Sequence, residues 1–173
     1  MSGIRWIGFF FTSLALILLQ VLVIDQIGIS RFIHPQIYFL ALLGLPVNMK
    51  HWVTYVVAFA LGMTVDVFVN TPGLHAFVCT LMAFSRYIYL SNFADKDWIA
   101  SNVRPTLSNT DVLSYLLYSG IFSLLFHFFF FALENLSFAH FDEILLSTLY
   151  SSSISVLLIL LIQFTFSPIE SNE

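Results

Sequence analysis

Charge is what this chain has least of. Charged side chains make up 9% of its 173 residues, against roughly 25% in an ordinary soluble domain. So few charges cannot cover a water-exposed globule of this length, and apolar residues reach 59%. Hydrocarbon is the solvent that removes the difficulty, because lipid tails are as apolar as Leu or Phe. The 20 Phe suit such a surface. Basic residues number 6, form no cluster, and leave a net charge of −4, so the electrostatic footprint of a nucleic-acid binder is missing. Cysteine is almost absent too. Cys79 alone, inside an apolar run, excludes an intrachain disulfide and a cysteine-rich metal site, and it reads as a buried, inert thiol. Barrel-type alternation is also lacking, and lipid forbids open sheet edges, so helices are expected to do the crossing.

What is present is a succession of apolar runs. A spanning helix needs about 20 mostly apolar residues, and runs at 6–24, 52–69, 73–90, 112–133 and 144–167 approach or exceed that length. A sixth at 32–47 is shorter: it is strongly apolar only from Ile37, with Pro35 near its start and Pro46 near its end. It reads as a tilted or thin-membrane helix, or as one reaching back through 25–34. The expectation is a single integral domain over 1–173, an all-α membrane protein folded as a six-helix transmembrane bundle, with five spans as the alternative. Pro35, Pro46, Pro72, Pro105 and Pro168 all fall at run ends or in connections, where a missing N–H costs little. Arg5 before the first run imitates a signal peptide. The run outlasts a typical apolar signal region, however, and no small-residue cleavage pattern follows. An uncleaved first helix is expected.

With six spans, Arg5, Lys50, Arg86, Lys96 and Arg104 lie on the side of the N-terminus, and Arg31 lies on the other. The positive-inside rule then places both termini in the cytoplasm. The main cytoplasmic feature is 91–111, where Trp98 and Ile99 sit among charges. They suit docking on membrane lipid or on a cytoplasmic partner; a solvated connection is the plainer alternative. The outer connection 134–143 is acidic and reads as a solvated turn.

Ionisable residues inside the runs are expensive unless paired. Asp66 lies near the outer end of the third, and a mid-bilayer carboxylate costs roughly 2.5–3.5 kcal/mol, less near an interface. Gly62, Asp66 and Asn70 recur every four residues and so share a helix face. The Gly permits close helix approach, and the polar groups can hydrogen-bond across it. Asn70, Thr71, Pro72 and Gly73 then compose a tight turn, and His75 follows at the start of the next run. Asp66 and His75 are expected to meet as a polar clasp on an antiparallel hairpin, with ligand binding, proton binding or a partner contact left open. Gly120, Ser123 and His127 share a face of the fifth run, with Glu134 beyond. They read as a packing seam, since the last run offers only hydroxyls and Gln163 opposite. Ser151, Ser152, Ser153 and Ser155 read as small residues allowing close packing. No HExxH, no second intramembrane Asp, and no G-x-S-x-G, Walker A or GxGxxG occurs, so no enzyme activity, cofactor or metal is expected.

The stretch 62–76, GMTVDVFVNTPGLHA, resembles the signature hairpin of the MreD family, the rod shape-determining membrane proteins of bacteria. That hairpin has a Gly-bearing helix, an Asp, a short polar turn, then Gly-Leu-His-Ala opening the next helix. The stretch 34–46, HPQIYFLALLGLP, is similar to the Bacteroidetes branch, where a Pro, an Ile-Tyr pair and a closing Pro frame the same short helix. Pro72 departs from the pattern, which has Leu or a similar residue there, and puts the turn's detailed shape in doubt.

The resemblance implies a non-catalytic scaffold of the cell-elongation complex in the bacterial inner membrane. It would bind an MreC-like single-span protein and act with RodA and its penicillin-binding transpeptidase. Directly or indirectly, it would help couple MreB filaments to peptidoglycan synthesis and so determine rod shape. The family's fold is also similar to substrate-binding subunits of energy-coupling-factor transporters, which leaves a vitamin-binding subunit as the alternative. Such a subunit needs a polar pocket on its outer face. Here the outer connections are short and polar residues in the runs are few, which favours the scaffold.

Overall fold

The computed structural model describes residues 3–27, 33–93, 104–135 and 141–166, with side chains from residue 6 onward. Helix α1 runs Gly3–Leu19 and continues through a widened π-helical turn, Gln20–Ile24, into Asp25–Ile27. Helix α2 is a single turn, Leu40–Leu43; α3 is His51–Val69, α4 Leu74–Asn92, α5 Val112–Asn135 and α6 Phe141–Phe166. The chain is an all-α bundle. Helices α1, α3, α5 and α6 are long and apolar enough to cross a membrane, which makes it a multi-pass membrane protein. Helix α4 matches α3 at 19 residues, or about 28 Å at 1.5 Å per residue, close to a hydrocarbon core of about 30 Å. It is less apolar, because His75 and Arg86 lie in it, and it packs along α3.

The outward faces explain why so few charges suffice. Phe10, Phe11, Leu22, Val56, Phe59, Val67, Phe77, Phe84, Leu149 and Leu157 are all exposed. In water, a belt of that kind would drive aggregation; in lipid it costs nothing.

The second run departs from expectation. Over 32–47 the described residues form no spanning helix: 33–39 are irregular, α2 contributes one turn, and irregular chain resumes as far as Lys50. Pro35 disfavours helix in the residue before it and Pro46 closes α2. The segment nevertheless lies at the heart of the bundle, since Ile37, Tyr38, Phe39, Leu42, Leu43 and Leu45 are buried. Non-helical backbone at membrane depth survives only where protein replaces water as its hydrogen-bond partner. Here the spanning helices supply the partners. Gln20 Oε1 accepts the Ile37 N–H at 2.8 Å while its Nε2 donates to the Pro35 carbonyl at 3.0 Å. Ser151 Oγ accepts the His34 N–H at 3.0 Å, and Ser155 Oγ the Gln36 N–H at 2.8 Å. Tyr118 Oη donates to the Leu43 carbonyl at 3.2 Å, and Arg86 Nη2 to that of Leu45. The six-helix expectation is therefore corrected in one element. Among the described residues five helices are long, and irregular chain occupies the place of the second span.

The ends of the bundle follow from shared grooves. One groove is bordered by Phe9 of α1, Gly44 after α2, Thr106 before α5 and Gln163 near the end of α6. Another joins Val47, the start of α3 and the end of α4. These elements mark one end, which carries Lys50, Arg86 and Arg104; Asp25, the turn at 70–73 and the start of α6 mark the other.

Candidate functional site

The α3–α4 turn is built by two left-handed residues. Asn70 leaves α3 at φ 60° and ψ 41°, sending its N–H back to the Asp66 carbonyl, as a helix-terminating cap does. Thr71 N–H reaches the same carbonyl at 3.1 Å, and Gly73 follows at φ 83°. The chain reverses in so few residues that α4 starts directly over the last turns of α3.

Asp66 closes the junction. Its Oδ1 accepts the His75 N–H at 3.0 Å, the Thr71 hydroxyl at 2.5 Å and His75 Nδ1–H at 3.0 Å. Its Oδ2 accepts the Ala76 N–H at 2.8 Å. Asp66 and His75 are each 3% exposed. The carboxylate thus caps the neighbouring helix: it satisfies first-turn N–H groups that have no partner within their own helix, at the positive end of that helix's dipole. Because Nδ1 faces a carboxylate oxygen, it carries a proton. Thr71 Oγ1, 3.1 Å away, spends its own proton on Asp66 and presents a lone pair to the ring. The His75 ring packs on Phe130 at 5.2 Å and Tyr38 at 6.0 Å, tying the hairpin to α5 and to the buried irregular segment.

Gly62 lies one turn before Asp66. A Cβ placed there would fall 2.5 Å from Ala76 Cα and 2.6 Å from Ala76 N. No other residue permits this approach, which is what brings the α4 amides within reach of Asp66.

The structure therefore gathers Gly62, Asp66, Gly73 and His75 into one junction. Asn70 is a correction: it is exposed and contributes backbone conformation, so its side chain does not continue the Asp66 face. Thr71 is the residue that sequence reasoning passed over. Its signal was a hydroxyl one position after the helix-ending Asn, five residues from the carboxylate.

In the second set Ser123 and His127 both meet α6, and Ser123 Oγ donates to the Ser152 carbonyl at 3.2 Å. His127 is fully buried; Nδ1 donates to the Ser123 carbonyl at 2.7 Å, and Nε2 lies 3.2 Å from Ser155 Oγ. Because Nδ1 carries the ring proton given to the Ser123 carbonyl, Nε2 offers a lone pair to the Ser155 hydroxyl, whose oxygen also accepts the Gln36 N–H. The chain of bonds ends on a backbone carbonyl. Gly120 takes no part, because a Cβ there would meet nothing within 4 Å, and Glu134 is exposed near the end of α5. Ser151 and Ser155 are corrected as well, from space-makers to hydrogen-bond partners of the irregular segment. Trp98 and Arg31 lie outside the described residues. Among those described, no three His, Cys, Asp or Glu are grouped to hold a metal ion.

Fold and site together define a class, a multi-pass helical membrane protein whose intramembrane polar groups bond mainly to its own backbone. No family model, curated protein or solved structure matches the chain.

Proposed function

We propose that this chain is a non-catalytic scaffold of MreD type in the bacterial inner membrane. In this reading both termini are cytoplasmic, and an MreC-like single-span protein binds laterally within the bilayer. RodA, its penicillin-binding transpeptidase and MreB filaments would be engaged with it or through it. The observation that carries the reading is the Gly62–Asp66–His75 junction. The stretch that resembles the family's hairpin folds into a closed clasp, with both carboxylate oxygens filled by the hairpin's own donors. A ligand would have to displace them. Orientation is supported by Lys50, Arg86 and Arg104 lying at one end of the bundle, which the positive-inside rule assigns to the cytoplasm.

The test has two arms. The protein should co-purify in mild detergent with a single-span MreC-like partner, and its depletion should round elongated cells. Added vitamins should leave thermal stability unchanged, since a ligand at a hundred times its dissociation constant adds roughly 2.7 kcal/mol. A reproducible rise with one vitamin, with no partner recovered, would replace the scaffold by a solute-binding subunit.

A further inference from the structure

Arg86 holds a charge where one is costly. It is 3% exposed, Nε donates to Tyr118 Oη at 2.9 Å, and Nη2 donates to the Leu45 carbonyl. Both acceptors are neutral. Among the described residues no Asp or Glu lies within ion-pair distance of the guanidinium. An unneutralised buried cation is strongly unfavourable unless an anion reaches it.

The surroundings offer a place for one. Arg86 lines a groove of about 160 Å³ with Asn48, His51, Thr54, Tyr87 and Ser91. That is roughly ten times what a single water requires, and polar groups border it on both helices. Lys50 lines the adjoining open groove together with Trp52, and His51 packs on the Tyr87 ring at 4.2 Å. Basic groups therefore converge from the start of α3 and the end of α4. Trp52, Tyr55 and Tyr87 are amphipathic rings of the kind that settle at headgroup depth. From the groove, Trp52, Val56, Phe59 and Met63 form an exposed apolar stripe along α3, at the spacing of one helix face.

We infer that this groove is a binding site for the phosphodiester headgroup of an anionic lipid, seated on Arg86 with its acyl chains along the α3 stripe. The charge explains the preference for an anion, and the stripe explains why that anion is lipid-borne rather than a free phosphate. The inference rests on the membrane setting of the fold and is independent of the scaffold role.

The test uses the full chain in mild detergent, with phosphatidylglycerol or phosphatidylcholine added at equal concentration and bound lipid counted by native mass spectrometry. One phosphatidylglycerol per chain should be retained at least tenfold over phosphatidylcholine. Arg86→Gln should abolish that preference, and Arg86→Lys should keep part of it. Because Arg86 also holds Leu45 and Tyr118, its variants can fail to fold; the exposed pair Lys50→Gln/His51→Gln then decides. That double variant should retain phosphatidylglycerol about fivefold less well, the scale of one basic group at a membrane surface. Equal retention of the two lipids would overturn the site, and so would undiminished retention in the double variant. Thermal stabilisation of the wild type by millimolar inorganic phosphate, equal to that given by phosphatidylglycerol, would transfer the groove to a soluble anion and refute the lipid assignment.

Discussion

Replacing Gly62 by Ala sets two effects of opposite sign against each other. In a helix interior Ala is favoured over Gly by about 1 kcal/mol, so propensity alone predicts a gain. The Cβ, however, would lie 2.5 Å from Ala76 Cα and 2.6 Å from Ala76 N. Those are backbone atoms of the first turn of α4, which cannot rotate aside as a side-chain tip can. Restoring an ordinary carbon contact of about 3.5 Å moves α4 away from α3 by about 1 Å. The Ala76 N–H bond to Asp66 Oδ2, now 2.8 Å, would then exceed the ~3.2 Å range of a sound N–H···O bond. Overpacking costs about 1–3 kcal/mol, and a hydrogen bond to a charged group adds about 1.5–3. The propensity gain offsets only part of this, leaving a net loss of about 2 kcal/mol or more. Gly120→Ala is the control, because nothing lies within 4 Å of its Cβ and only the gain of about 1 kcal/mol should remain. Equilibrium unfolding in mild detergent titrated with a denaturing one should move the two variants in opposite directions. If Gly62→Ala is as stable as the wild type, the close approach of the helices is not what holds the junction.

Asp66→Ala and His75→Ala should each destabilise the bundle, and the double variant should lose less than the sum of the two; additive losses in the same assay would mean that the side chains do not interact. Gln20→Leu should cost about 2 kcal/mol or more, because it leaves the Ile37 N–H and Pro35 carbonyl unpartnered at about 1–3 kcal/mol each. Ser153→Ala, exposed on α6, should fall within about 0.5 kcal/mol of wild type, and equal effects would refute the assigned partners. Reporter fusions after Lys50, within 91–111 and after Phe166 should report cytoplasm, and fusions at Thr71 and Glu143 the opposite side. A cytoplasmic signal at Glu143 would invert the order of the last two spans.

The α3–α4 junction was legible in sequence because its determinants are local. Gly62 and Asp66 are one helical turn apart, the turn residues are adjacent, and His75 follows within the next turn. Thr71 escaped because a hydroxyl in a turn has many possible partners, and only the left-handed step at Asn70 swings it onto the carboxylate. The five long helices were legible for the same reason, since a run of apolar residues needs no partner to identify it.

The second crossing could not be read that way. Hydropathy reports whether a segment tolerates the bilayer and is silent on whether its backbone hydrogen bonds are made internally. Ile37 to Leu45 is as apolar as a helix would be, and Pro35 and Pro46 were compatible with a short one. The discriminating signal lay elsewhere in the chain. An irregular segment at membrane depth needs donors and acceptors from its neighbours, so the spanning helices must carry polar side chains facing inward at matching depths. Gln20, Ser151, Ser155, Tyr118 and Arg86 are that set, spread across four helices and separated from their targets by 15 to 119 positions. Taken one at a time, each looks like an isolated polar residue with a local excuse: packing, an interface, a snorkelling charge. Taken together they exceed what five apolar helices need to pack, and that surplus is the sequence-level mark of backbone that cannot satisfy itself.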